Sequence, residues 1–157
     1  RKINKNINIK TFTKKLDHSN ISKIAKNYPI ICDGTDNFKT RLLINDYCLK
    51  NKKILVSSAI SKFDSQLFFF DFRKKTPCFR CFMPESPPGN QNCDSEGIMT
   101  TLAGIAGSMQ ANEVIKSILN VKNNLNGNII MFNALKTDFR KVRLSKNPSC
   151  TNNHLHG

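Results

Sequence analysis

Ile30-Ile31-Cys32-Asp33-Gly34-Thr35-Asp36-Asn37-Phe38-Lys39-Thr40-Arg41 is the stretch whose reading organises the whole chain. A short apolar run stops at an acidic, glycine-containing turn. An amphipathic run with Phe38, Leu42, Tyr47 and Cys48 at helical spacing follows, so the segment reads as strand, loop and helix. In open α/β sheets ligands bind in the crevice beyond the carboxyl ends of parallel strands. Two Asp residues and an Asn at such a junction therefore suit a metal-nucleotide site. The plainer alternative is that Thr35 or Asp36 caps the helix by satisfying free backbone N–H groups. Asp33 reads as a turn former. Cys32 and Cys48 fall on the core faces of the strand and the helix, where small buried hydrophobes are expected.

Upstream, Ile7 and Ile9 alternate with polar residues within a basic segment, which predicts an exposed or edge strand in residues 1–15. Ser19 is placed to cap a short helix with Ile21, Ile24, Ala25 and Tyr28 on one face, ended by Pro29. Downstream of a helix at about 37–50, the runs 54–60 and 66–72 read as strands, with Phe68, Phe69 and Phe70 buried on both faces. Strands joined by helices imply right-handed crossovers. Residues 73–99 form a long Pro- and Gly-containing connection holding three cysteines, a length that usually serves function. Ile98, Leu102, Ile105, Met109, Val114, Ile115 and Ile118 then recur at helical spacing. Gly104 and Gly107 inside that helix cost about 1 kcal/mol each, which predicts a close neighbour, another helix or a dimer partner. A strand at 128–133 turns into 139–144 as a hairpin with Phe139, Val142 and Leu144 inward. Together these elements predict one α/β domain over residues 1–157, a Rossmann-like mixed sheet with flanking helices.

Within the 157 residues, Lys and Arg outnumber Asp and Glu by 25 to 11, for a formal net charge of +14. The basic residues are scattered among Asn and Ile and are not interleaved with aromatics in a nucleic-acid-binding motif. No nucleic-acid partner is therefore expected, although the field favours acidic partners and phosphate-rich substrates. The longest apolar run, 67–70, is far below the ~20 residues of a membrane helix, so a cytoplasmic protein without membrane contact is expected. The six cysteines, at 32, 48, 78, 81, 93 and 150, follow no signal peptide, which favours metal or catalytic use over disulfides. Because Arg1 is not a natural start, a leading segment is expected to precede it.

Cys78-x-x-Cys81 reads as half of a tetrahedral zinc site, since two thiolates at this spacing reach one Zn²⁺ at ~2.3 Å. A redox pair is the alternative, against which stand the Phe-Arg filling and the lack of a following long helix. Cys93 precedes a helix, whose N-terminus favours thiolate, while Asp94 and Glu96 oppose it. An ordinary exposed loop thiol remains the other reading. Of the seven glycines none forms a Gly-x-Gly-x-x-Gly turn after a strand.

Asp33-Gly34-Thr35-Asp36-Asn37-Phe38, Arg41, Ile44-Asn45-Asp46 and Phe79-Arg80-Cys81-Phe82-Met83-Pro84, in this order and spacing, resemble the ThiF/MoeB/HesA family of adenylating enzymes, relatives of ubiquitin-activating enzymes. The resemblance runs from about residue 3 to Cys150. It implies ATP-dependent adenylation of the C-terminal glycine of a ubiquitin-like sulfur-carrier protein, in a thiamine, molybdopterin or tRNA-thiolation pathway, by an enzyme that is a homodimer when complete. Asp36 would hold Mg²⁺ and the triphosphate, Asp36 and Asn37 would line the ATP site, and Arg41 would supply a cation. The family's second Cys-x-x-Cys matches Cys150, preceded by Asn147-Pro148, so Cys78, Cys81 and Cys150 would bind Zn²⁺. Here the chain departs from the family, because Asn153 stands at the fourth-ligand position, leaving His154, His156 or water to complete the shell. Cys93 corresponds to the loop cysteine that in many relatives forms a thioester or acyl-persulfide link with the carrier. In the family the glycine loop, in an N-terminal βαβ unit, and further Arg and Lys residues come before the point where this chain starts. The 157 residues thus carry half a nucleotide site and are expected to be inactive alone. The alternatives are a non-catalytic carrier-binding scaffold of the same fold and a basic zinc module binding RNA.

Overall fold

The computed structural model describes residues 3–85, 97–122 and 125–155. A one-turn helix α1 (Ile21–Ala25) leads through Pro29 into β1 (Ile30–Asp33), then α2 (Phe38–Lys50) crosses over to β2 (Ile54–Ser61). β1 and β2 pair in parallel, with Asp33 opposite Ser57 at their carboxyl ends. Lys62, in the left-handed region (φ 46°), and Phe63 then turn the chain back into β3 (Asp64–Asp71), antiparallel to β2. After the short helix α3 (Phe79–Phe82) and the long helix α4 (Thr100–Ile118), β4 (Asn128–Asn133) and β5 (Asp138–Arg143) extend the sheet antiparallel. The strand order is β1-β2-β3-β4-β5. One parallel crossover and three antiparallel pairings make the mixed α/β sheet expected from the sequence, with far fewer crossovers than strands alternating with helices would give.

The two faces of the sheet are buried under different helices because β2 and β3 are apolar on both sides. Leu55, Phe68 and Phe70 pack with Leu42, Leu43, Cys48 and Leu49 of α2 and with Phe79 of α3. Ile54, Val56, Leu67 and Phe69 on the opposite face pack against Met109 and Val114 of α4. Phe68 meets Phe79 edge-on with ring centroids 5.0 Å apart, which ties the start of α3 to the sheet. Removing such a buried ring costs about 3–5 kcal/mol. Gly127, entering β4 at φ 71°, resists replacement, since that backbone strains an L side chain and a Cβ there would crowd Pro77 Cδ and Thr76 Oγ1, each at 3.1 Å. Among the described residues no helix is long and apolar enough to cross a membrane.

Several local expectations are corrected. Residues 3–15 form no strand, and Ile7 and Ile9 are exposed, because polar–apolar alternation creates a strand only where a partner edge is available. Ser19 does not cap α1: Asp17 Oδ1 organises that turn, accepting from Ser19 N, Ser19 Oγ and Asn20 N. Tyr28 is exposed. Cys32 is also exposed, since β1 is an edge strand, whereas Cys48 is fully buried as expected. Ile98 lies before α4, bridged to Lys62. Ile115 and Ile118 face outward, and among the described residues nothing lies within 4 Å of where a Cβ would stand at Gly104 or Gly107. Phe139 and Val142 are exposed, because β5 is the outermost strand at the other edge of the sheet. Phe139 instead stacks on Phe132, centroids 4.4 Å apart, and only Leu144 reaches the core.

Candidate functional site

The β1–α2 loop is built from beneath by one buried carboxylate. Asp33 is 1% exposed, and its Oδ1 accepts from Thr35 N at 2.9 Å and Thr35 Oγ1 at 2.6 Å, closing an Asx turn. Its Oδ2 accepts from Ser57 Oγ at 2.6 Å and lies 3.3 Å from Arg41 Nε. Arg41, 5% exposed, points down into this network: Nη2 donates to Thr35 O at 2.7 Å and Ser58 O at 3.0 Å, and the guanidinium lies 5.7 Å from the Phe79 ring centroid. The side chain expected to offer a cation thus sits under the loop, with its charge matched by Asp33.

Asn37 is the N-cap of α2, its Oδ1 accepting from Thr40 N at 2.9 Å, so the cap falls one residue beyond Thr35 and Asp36. Its Nδ2 donates to Asp36 Oδ1 at 3.2 Å. Asp36 is left exposed at the carboxyl end of β1, one carboxylate oxygen steadied by its neighbour. From α4, Gln110 Nε2 donates to Asp33 O at 2.9 Å and Val56 O at 2.8 Å, tying the ends of β1 and β2 to the helix.

Two turns along α2 a second constellation forms. The Sγ atoms of Cys78, Cys81 and Cys150 lie within 4.8 Å of one another, with Cys78 and Cys150 at 3.8 Å. Cys78 begins α3, and Cys81 N donates back to Cys78 O at 2.9 Å, so the turn aims both sulfurs the same way. Asn147 shapes the other arm, accepting from Ser149 N on its side chain and from Cys150 N on its carbonyl. Asp46 of α2 joins the arms. It accepts from Arg80 Nε at 2.8 Å, Arg80 Nη2 at 2.7 Å and Asn152 Nδ2 at 2.7 Å. Fully buried Asn45 adds a bond from Phe79 N to its Oδ1 at 2.9 Å and donates its own amide to Asp46.

Burial, then the neighbouring Cys81 and Cys150 sulfurs, push the Cys78 thiol up to about 12, and burial raises Cys150 too. Three sulfurs converging in an apolar pocket repel as thiolates, and a bound cation reverses that preference. The donor set therefore fits a thiophilic ion such as Zn²⁺. Among the described residues this group has three members. Asn153 is exposed on a 3₁₀ turn (Asn153–Leu155), its backbone N donating to Cys150 O at 2.8 Å, and His154 is exposed outside the group. Cys93 and His156 lie outside the described residues.

The structure thus groups Asp36, Asn37 and Arg41 at one end of α2 and Cys78, Cys81 and Cys150 along its flank. Gln110 had no signal in the sequence, since a lone polar residue on an amphipathic helix reads as solvated. Asn45 and Asp46 stood out only as part of the family pattern, without a role.

The ThiF family model matches residues 1–152. Similar proteins include the adenylyltransferase and sulfurtransferase MOCS3 of Caenorhabditis briggsae, 39% identical over 138 residues, which cover 86% of this chain and 34% of that protein. MOCS3 of Drosophila virilis is 35% identical over 94% of this chain and 33% of its own length. The sulfur carrier protein adenylyltransferase of Thermus thermophilus is 32% identical over 94% of this chain and 57% of its own. The chain therefore spans about a third of the MOCS3 relatives. Among solved structures, E. coli MccB with ATP matches with a TM-score of 0.70 at 14% identity, over 88% of this chain and 43% of MccB, which is a likeness of fold. With a family model covering nearly its whole length and relatives above 30% identity, the chain belongs to the ThiF family.

Proposed function

We propose that this chain forms part of an adenylyltransferase that activates the C-terminal glycine of a ubiquitin-like sulfur-carrier protein with ATP. The observation that carries this reading is the exposed Asp36 carboxylate at the carboxyl end of β1, held over a loop that Asp33, Arg41 and Ser57 fix from below. A fixed loop keeps the carboxylate in place before substrate arrives, so little of the binding energy goes into ordering it. In the reaction a carboxylate oxygen of the carrier attacks the α-phosphorus of ATP, the bond to the β-phosphate bridging oxygen breaks, and pyrophosphate leaves with that electron pair. Mg²⁺, when bound, offsets the negative charge of the triphosphate. Asp36 and Asn37 would hold the metal side of the nucleotide, and Arg41, paired with Asp33, would steady the loop from beneath. Cys78, Cys81 and Cys150 would hold Zn²⁺ and, with it bound, would tie α3 to the 147–153 turn. Cys93 is the candidate for a covalent link to the carrier, and a homodimer is the assembly we infer for the complete enzyme, in the cytoplasm.

A second reading, a carrier-binding scaffold without turnover, is favoured by the downward aim of Arg41, whose Nη2 donates to Ser58 O rather than toward the Asp36 side of the loop. ATP–pyrophosphate exchange separates the two. With carrier and Mg²⁺ the chain alone is expected to show none, and joined to a leading segment with the glycine loop it is expected to exchange. No exchange by the joined, folded protein favours the scaffold.

A further inference from the structure

Among the described residues the three-sulfur group has no fourth Cys, His or carboxylate ligand, which sets it apart from a closed four-ligand site. The 152–154 turn, where the family's fourth cysteine falls, brings no further Cys, His or carboxylate to the group. Asn152 gives its amide to Asp46 at 2.7 Å, the Asn153 backbone is bonded to Cys150 O with its side chain exposed, and His154 lies outside the group. The sulfurs also differ in burial, Cys78 and Cys150 being 0% and 4% exposed while Cys81 is half-buried, so the group has one side toward solvent. Zn²⁺ held by three protein ligands fills its tetrahedron with water or another small donor, whereas a structural site with four protein ligands is closed.

We propose that the Cys78–Cys81–Cys150 site keeps its fourth coordination position for an external ligand and takes a low-molecular-weight thiol there. This rests on the metal reading given above. With the metal held by the three cysteines, the exchange would be a ligand substitution in which the thiol gives its proton to solvent and its sulfur replaces a water, with no change of oxidation state. Soft thiolate is the donor class that matches the three already present. The 152–154 turn would then set the ligand chemistry of the site without itself touching the metal.

Cobalt(II) as a stand-in for zinc makes this readable under anaerobic conditions, because its absorption bands report the number and type of ligands. The purified chain loaded with cobalt is expected to change spectrum saturably on titration with 2-mercaptoethanol. Asn153→Cys is expected to show the thiol-saturated spectrum from the start and no further change. It should also lose its metal to a chelator more slowly than the parent. A parent spectrum unmoved by the thiol overturns the proposal. In that case the position is held by water or by a protein group, and a thiol response restored by His154→Ala, His156→Ala or Cys93→Ser identifies the protein group, while none restored leaves water. Failure to take up any cobalt or zinc overturns the metal reading itself, a separate result from metal bound with no thiol response.

Discussion

The head of α2 and its flank, two turns apart on one helix, solve opposite problems. At the head a single buried acid, Asp33, gathers three partners so that the next acid, Asp36, can stand exposed and unneutralised. On the flank Asp46 gathers Arg80 and Asn152 so that three sulfurs can converge in a buried pocket. One carboxylate in each place is spent on architecture, and the chemistry is left to its neighbours. The difference lies in where the partners come from. The loop is fixed mainly by residues 33–58, whereas the sulfur group draws on segments 34 and 106 residues from Asp46 and is the longer-range construction.

If that contrast is right, the flank depends on its cation far more than the head does. Cys150→Ser should abolish tight zinc retention, measured as metal per chain after dialysis against a mild chelator, because structural zinc is worth about 10–16 kcal/mol to a small site. Undiminished zinc in the variant would remove Cys150 from the site. At the head the expected loss is smaller and independent of metal. Asp33→Ala leaves the Arg41 guanidinium buried without its counter-charge and should destabilise the fold by about 3–5 kcal/mol, read as a lower midpoint in urea. A midpoint within experimental error of the parent would mean that the loop is not organised from below.

Asp46→Asn probes the hub itself. It keeps the shape but removes the charge facing Arg80, and outer partners of this kind typically change metal affinity about 10–100-fold. Faster zinc release to a chelator, with Asn152→Ala adding little in the double variant, would confirm that both act through one carboxylate. Additive effects would separate them. The smallest effect concerns the thiols flanking the loop. Cys32, exposed on the edge strand, should be alkylated well before Cys48, whose burial pushes its thiol up to about 12. Equal labelling would place β1 away from the edge.

The same contrast explains what the sequence made legible. β1, α2, β2 and β3 emerge from apolar runs punctuated by Pro29, Asn37 and Lys62, since each is dictated by neighbours in the chain. Cys32 was misplaced because edge position belongs to the sheet and leaves no local mark. Phe139 and Val142 were misplaced for the same reason, β5 being the opposite edge. Asp36 was legible from its place after an apolar run. The meeting of Cys150 with Cys78 rested on family likeness alone, for nothing local in either segment points to the other, and Gln110 and the Asp46 hub link distant segments in the same way.

The claim that ties these regions to function is that Asp36, held over the Asp33–Arg41 network, holds the metal side of ATP. The direct measurement is ATP–pyrophosphate exchange by the chain joined to a glycine-loop segment, with and without Asp36→Ala, alongside urea unfolding of both. The account predicts a loss of exchange of ~10²–10³, the scale of removing one preorganised electrostatic group, at unchanged stability, because Asp36 is exposed and Asn37 provides the cap. Exchange unaffected by Asp36→Ala would contradict it and return Asp36 to the role of an ordinary loop residue.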